Sequence, residues 1–343
     1  MIILGDLACP DKNSAVEIKR FFNENRLIDG KIVICNLEGV IREDEPYEDE
    51  KLFNHPDVLD AFNNSEVVFS LANNHMYDYP ELLEQTVETI ENKGYKHNGI
   101  VANNEVSPTI VTFKGQSYAI FCHCWRVYTH TNSNKTNKIR INDCEYETFY
   151  EIVSDYIANN PSNKVVCYFH WNYDLEVIPF PMHRKLARDL IDSGVFCVVG
   201  NHSHVPQGGE IYKGKAIVYG LGNLYIPSGK FFGGRLDYAD ESKITMALEI
   251  DEANNSYICH WFKTDKGKPL EYLLSEDLIN GKMILYYSKY RDVDISLYSH
   301  YFKSHRRKKL LVPTFKNYKG IGSLINEILA ITRIKLIKLI KGC

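Results

Sequence analysis

Residues 198–210 read VVGNHSHVPQGGE, and how that stretch is interpreted decides the fold. An apolar run closes on Gly200, and two histidines follow one residue apart, at 202 and 204. If the backbone is extended there, both imidazoles point the same way, and a flexible glycine ahead of them lets the chain turn toward whatever they face. Such a pair at a strand end is a candidate grip on a metal ion. The same spacing also fits two loop histidines with no task, so the rest of the chain has to decide.

Working outward, four more short apolar runs share the design. MIIL runs into Gly5 and Asp6, KIVIC into Asn36 and Glu38, VVFSLA into Asn73, Asn74 and His75, and VVCYF into His170 and Trp171. Runs of four to six apolar or β-branched residues, each cut off by polar residues, predict strands buried on both faces. Helical spacing separates them over 14–25, 80–93, 144–158 and 183–193, with Pro80 suited to a first turn and Gly194 to a stop. Strand alternating with helix predicts an α/β layered fold, whose functional crevice lies beyond the carboxyl ends of the strands. After Gly214 the runs AIVYGLGNLYI, KITMALEID and SYICHWFKT read as an antiparallel sheet or edge, the last two paired as a hairpin through 252–255. The expected divisions are a main domain over 1–250, an extension with strands over 251–302 and a basic amphipathic tail over 303–343.

With 44% hydrophobic and 24% charged residues over 343 positions, the composition is that of a globular protein. The net charge of -4 makes no case for nucleic acid, yet from Lys303 onward eleven Lys and Arg face a single acid, Glu327. The nine cysteines are scattered through apolar runs and read as buried filler in a reducing compartment. No signal peptide and no run of about 18 apolar residues is visible, so a cytoplasmic location is expected.

Asp6, Glu38, Asn74, His170, His202 and His204 together offer two carboxylates, one amide and three imidazoles. That mixture of hard oxygen and borderline nitrogen suits Mn, Fe or Zn, bound as one or two divalent ions. Each residue has an ordinary explanation alone; six at the ends of successive predicted strands are better explained by one site.

The segments GDL (5–7), NLEGVI (36–41), SLANNHMYDY (70–79), HWNYD (170–174) and GNHSHVPQGGEIYKGKAIVYGLGNLYI (200–226) resemble the CapA family. These capsule-synthesis proteins were first associated with poly-gamma-glutamate and have a fold like that of calcineurin-type metallophosphoesterases. The resemblance runs in order from residue 1 to about 227. It implies a metallophosphoesterase-like four-layer sandwich, two packed β-sheets flanked by helices. It also implies Asp6 on a first metal, Glu38 bridging, Asn74, His170 and His202 on a second, and His204 returning to the first. His75 matches the histidine that acts on the leaving-group oxygen of a phosphate ester, with Asp78 either orienting its imidazole or capping a helix. Trp171 and Tyr173 could line the crevice, although core packing explains Trp171 nearly as well.

Four positions depart from the family pattern. Ala8 stands where Asp-x-His would supply an imidazole, Asn201 and Ser203 flank His202 where His-Pro is usual, and His183 replaces a glutamine. The implied function is a metal-dependent phosphoesterase-like enzyme of capsule, poly-gamma-glutamate or other cell-envelope polymer synthesis, acting on the polymer or its phosphorylated precursor. The alternative is a non-hydrolytic accessory protein that keeps the scaffold to bind a polymer. In the tail, Ile321, Leu324, Ile325, Ile328, Leu329, Leu336 and Ile340 recur at helical steps among Lys335, Lys338 and Lys341, with a second cationic cluster at 306–309. This pattern fits a helix lying on an anionic inner-membrane face, or one whose apolar stripe docks on the main domain or a partner subunit.

Overall fold

The computed structural model describes residues 1–43, 51–102, 105–130, 139–265, 268–307 and 312–341. Lys308 and Lys309 of the second cationic cluster, and the side chains of Lys338, Ile340 and Lys341, lie outside the described residues.

Two sheets pack face to face with helices on their outer sides. In the first, the parallel strands Ile2–Leu7, Ile32–Leu37, Glu66–Ser70 and Lys96–Asn98 lie side by side. Ile244–Asp251, Ser256–Asp265 and Lys268–Asp277 extend this sheet antiparallel beyond Ile2–Leu7. In the second, Gln116–Cys124, Lys164–His170, Cys197–Asn201 and Lys215–Leu221 are parallel, flanked by antiparallel Thr109–Phe113 and Pro206–Tyr212.

The side-chain period of two builds both faces of the second sheet at once. Along Lys164–His170, Val166 and Tyr168 join the core between the sheets, while Val165, Cys167 and Phe169 join a second core beneath the helices Tyr146–Asn159 and Pro181–Asp192. Tyr168 ties the sheets together, its hydroxyl donating to the Leu4 carbonyl at 2.7 Å. On the outer side of the first sheet, Lys12–Asn25 starts where the Asp11 side chain accepts from the Ser14 amide, and it buries Ile18, Phe21 and Phe22. All eight cysteines among the described residues are free, and seven are buried, as filler should be.

The run AIVYGLGNLYI meets the expected antiparallel arrangement on one side only, where Lys215–Leu221 pairs with Pro206–Tyr212. Lys215–Leu221 is parallel to Cys197–Asn201 in the second sheet, whereas Asn223–Tyr225 crosses over to pair parallel with Ile2–Leu7 in the first. Gly222, at φ +83°, makes that crossing in a conformation few other residues adopt. The 252–255 hairpin does form, with Asp251 paired to Ser256. Among the described residues, no helix is long and apolar enough to cross a membrane.

Candidate metal centre

The strand ends of both sheets converge on one buried cluster. The first sheet contributes Asp6, Asn36, Glu38 and, from the turn Asn74–Tyr77, Asn74 and His75; the second contributes His170, His202 and His204. Asp6 and Glu38 are wholly inaccessible.

Their two carboxylates are treated differently by their surroundings. Asp6 is well supplied: Asn36 Nδ2 donates to Oδ1 at 2.8 Å, and the His202 backbone amide donates to Oδ2 at 3.0 Å. Neither oxygen of Glu38 has a hydrogen-bond partner. Around Glu38 Oε1 stand His75 Nε2 at 3.7 Å and His170 Nε2 and His204 Nε2 at 3.9 Å each. Ligand atoms of Glu38, His202 and His204 also lie within 4.8 Å of one another. Burial drives the Glu38 carboxyl well above the usual carboxylate range, and the nearby Asp6 charge adds to the effect. Burial, then the neighbouring histidines, holds His170 well below an ordinary imidazole, so it is neutral and able to ligate. A buried carboxylate without a donor, facing the imidazole nitrogens of His170 and His204, is the donor set of a divalent cation, and the residues fit such an ion.

The remaining side chains hold these groups in place. Asn74 Oδ1 lies 2.9 Å from His170 Nε2, and Asn223 Oδ1 lies 2.7 Å from His204 Nδ1. His75 Nδ1 lies 2.6 Å from Asp78 Oδ2. Asp78 is also the C-cap residue of the turn Asn74–Tyr77, its backbone amide donating to the His75 carbonyl, so it both ends that turn and holds the imidazole.

The sequence-based picture of 198–210 needs two corrections. His202 and His204 are not extended: their φ angles are +81° and +55°, a region costly for branched or bulky side chains and typical of functional sites. Gly200 supplies space, not a turn. It lies within the strand Cys197–Asn201, and a Cβ there would fall 2.0 Å from Trp171 Nε1. Trp171 lines no crevice; it is fully buried and stacked between Phe169 and His183, its Nε1 donating to the Tyr219 carbonyl. His183, in the place of the family glutamine, is likewise a core residue bonded to Tyr146. Tyr173 packs in the same aromatic core, against Trp125 and Phe180.

Four residues around the site went unassigned from sequence. Asn36 braces Asp6, Asn223 braces His204, half-exposed Asp174 places Oδ1 3.1 Å from His202 Nε2, and the Tyr128 ring lies 4.1 Å from that of His202. Asn36, Asp174 and Asn223 lie within the motifs that carry the family resemblance, so a signal was present for all three. Tyr128 had none. Ala8 is buried where an imidazole was expected, its amide bonded to the Tyr225 carbonyl, and it brings no ligand to the Asp6 side of the site.

The profile of the family described as Bacterial capsule synthesis protein PGA_cap matches residues 11–228. The PGA biosynthesis protein CapA of Bacillus subtilis (strain 168) is 33% identical over 95 residues, 28% of this chain and 24% of that protein. The Probable polyglutamine synthesis accessory protein MT0602 of Mycobacterium tuberculosis is 24% identical over 248 residues, 66% of this chain and 63% of that one. The matches thus span less than two thirds of either relative. Among solved structures, TT1561 of Thermus thermophilus is similar with a TM-score of 0.42 at 10% identity, over 81% of this chain and 98% of that one.

Proposed function

The chain belongs to the bacterial capsule synthesis protein PGA_cap family, and from that premise we propose that it is a metal-dependent phosphoesterase-like enzyme of cell-envelope polymer synthesis. Its substrate is a capsule or poly-gamma-glutamate-type polymer, or a phosphorylated precursor of one. The observation that carries this reading is Glu38, a fully buried carboxylate with no hydrogen-bond donor and three imidazole Nε2 atoms within 3.9 Å. Glu38, His202, His204 and His170 would hold a divalent ion of the Mn, Fe or Zn class. When bound, it supplies Lewis-acid stabilisation of the charge that builds on phosphoryl oxygens.

The protein's own groups do the rest. Asp78 fixes the orientation of His75, whose Nε2 faces the Glu38 carboxylate and is the proton donor to the departing alkoxide. Asn36 and the His202 amide keep Asp6 in place, and Asn223 sets the His204 ring. The Tyr128 ring covers His202 and shields it from water. Because both Asp6 oxygens already accept hydrogen bonds and Ala8 adds no ligand, the cation demand concentrates on Glu38 and one ion binds more tightly than a second.

The test is elemental analysis of protein purified without chelator, then hydrolysis of an aryl phosphate monoester and diester with added manganese. Bound transition metal and turnover abolished by His170→Ala with His202→Ala are expected. Well-folded protein without metal, and without a thermal shift on adding manganese or zinc, would sink the proposal. Ala8 favours a second reading, a non-hydrolytic accessory protein on the same scaffold; metal uptake with no hydrolysis of either ester would support it.

A further inference from the structure

The helix Ile321–Lys341 is attached to the rest of the protein by a mixed face, on which Ile331 and Ile334 pack against the aromatic core beside a buried polar anchor. Glu327 is buried; it accepts from Trp125 Nε1 at 3.2 Å and pairs with Arg126 at 3.4 Å, while Ser323 and Ala330 are buried beside it. That anchor fixes which face looks outward. The outward face carries Ile321 and Leu339, 78% and 80% exposed, with Ile325, Ile328, Leu329 and Leu336 each more than half exposed. One helix therefore leaves a continuous apolar stripe in water, an arrangement soluble surfaces avoid unless something covers it.

Charge identifies the cover. Apart from Glu327, which is turned inward and already paired, every charged residue of this helix is basic: Arg333, Lys335, Lys338 and Lys341. Lys335 is exposed on the outward side. A second copy of the chain would present the same basic helix, with its single acid again buried, so a self-complementary pairing offers these cations no partner. A bilayer rich in anionic lipid meets both requirements, taking the apolar stripe among its acyl chains and the cations at its headgroups. We propose that Ile321–Lys341 is an interfacial helix that seats the protein on an anionic membrane surface without crossing it. The proposal is independent of the phosphoesterase reading.

The test is co-sedimentation of the full chain with vesicles of phosphatidylcholine alone and of phosphatidylcholine mixed with phosphatidylglycerol. Binding at least tenfold stronger to the mixed vesicles is expected, falling as NaCl rises from about 0.05 to about 0.5 M. Ile325→Asp combined with Leu336→Asp should remove binding while the melting temperature stays within a few degrees of wild type. Because the salt series uses the wild-type chain, the proposal remains testable if that variant fails to fold. No sedimentation with the mixed vesicles, or equal sedimentation with both kinds, would overturn it. So would light scattering that shows a wild-type dimer, split by the double variant, with no vesicle binding by either.

Discussion

His75 and Asp78 form a fixed pair: Nδ1 of the imidazole lies 2.6 Å from Oδ2 of the carboxylate, within a single turn of chain. The other ring nitrogen is thereby aimed at Glu38, 3.7 Å away. Holding Nδ1–H with a carboxylate orients the ring and leaves Nε2 as the nitrogen that takes up and delivers the transferred proton.

From this pair, His75→Ala should keep metal but lose turnover by about 100-fold or more on an ester with a poor leaving group, and less on an aryl ester. Asp78→Asn should lose roughly 10- to 100-fold, with an altered pH profile and unchanged metal content. An unchanged rate for His75→Ala on the poor-leaving-group substrate would remove His75 from the mechanism.

Glu38→Gln separates stability from function. Without metal, the wild-type protein keeps an acid with no hydrogen-bond partner in its interior. Removing its ionisation should stabilise the metal-free protein by about 1–2 kcal/mol and abolish the thermal shift on adding manganese. Paired melting curves with and without metal check this, and a variant that still shifts like wild type would show that Glu38 holds no ion.

Glu210 is a structural counterpart. Fully buried Arg184 donates to it through Nε and Nη2, at 3.3 and 3.1 Å, and Arg188 and Tyr219 donate at 2.5 and 2.7 Å. Glu210→Gln leaves a buried guanidinium without its counter-charge and should cost about 3–5 kcal/mol in denaturant unfolding. A loss under about 1 kcal/mol would mean that the Arg184 contacts to the carbonyls of Arg291 and Val293 suffice.

Glu249 should control part of the acid stability. Burial opposes its ionisation, but hydrogen bonds from His260 and Lys31 outweigh that and bring its carboxyl down to about 2. A carboxyl depressed on folding contributes its full stabilisation above the unfolded value, near 4.5, and loses it as pH falls toward 2. Its side chain is 16% exposed, so solvent screening trims the effect to the order of 2 kcal/mol. Glu249→Gln should flatten the stability profile between pH 4.5 and 2 and lower stability at neutral pH. Identical profiles for the two proteins would exclude that role.

Local chemistry carried much of this molecule. Apolar runs that stop abruptly at Asp6, Glu38, Asn74, His170 and the pair at 202 and 204 required strands with polar ends, because a buried strand must be apolar until it leaves the core. Three features depended on packing that the local sequence does not show. Trp171 belongs to the core because packing slots it between Phe169 and His183, and Gly200 is glycine because Trp171 Nε1 occupies the space its Cβ would need. Asp6 is satisfied and Glu38 is not because Asn36 and the His202 amide arrive at one carboxylate and no donor reaches the other. The last feature is the terminal helix. Its periodicity announces an apolar stripe, yet a stripe has the same period whether it faces protein, lipid or water. Only the burial of Glu327 against Trp125 and Arg126, some 200 residues earlier, turned that stripe outward.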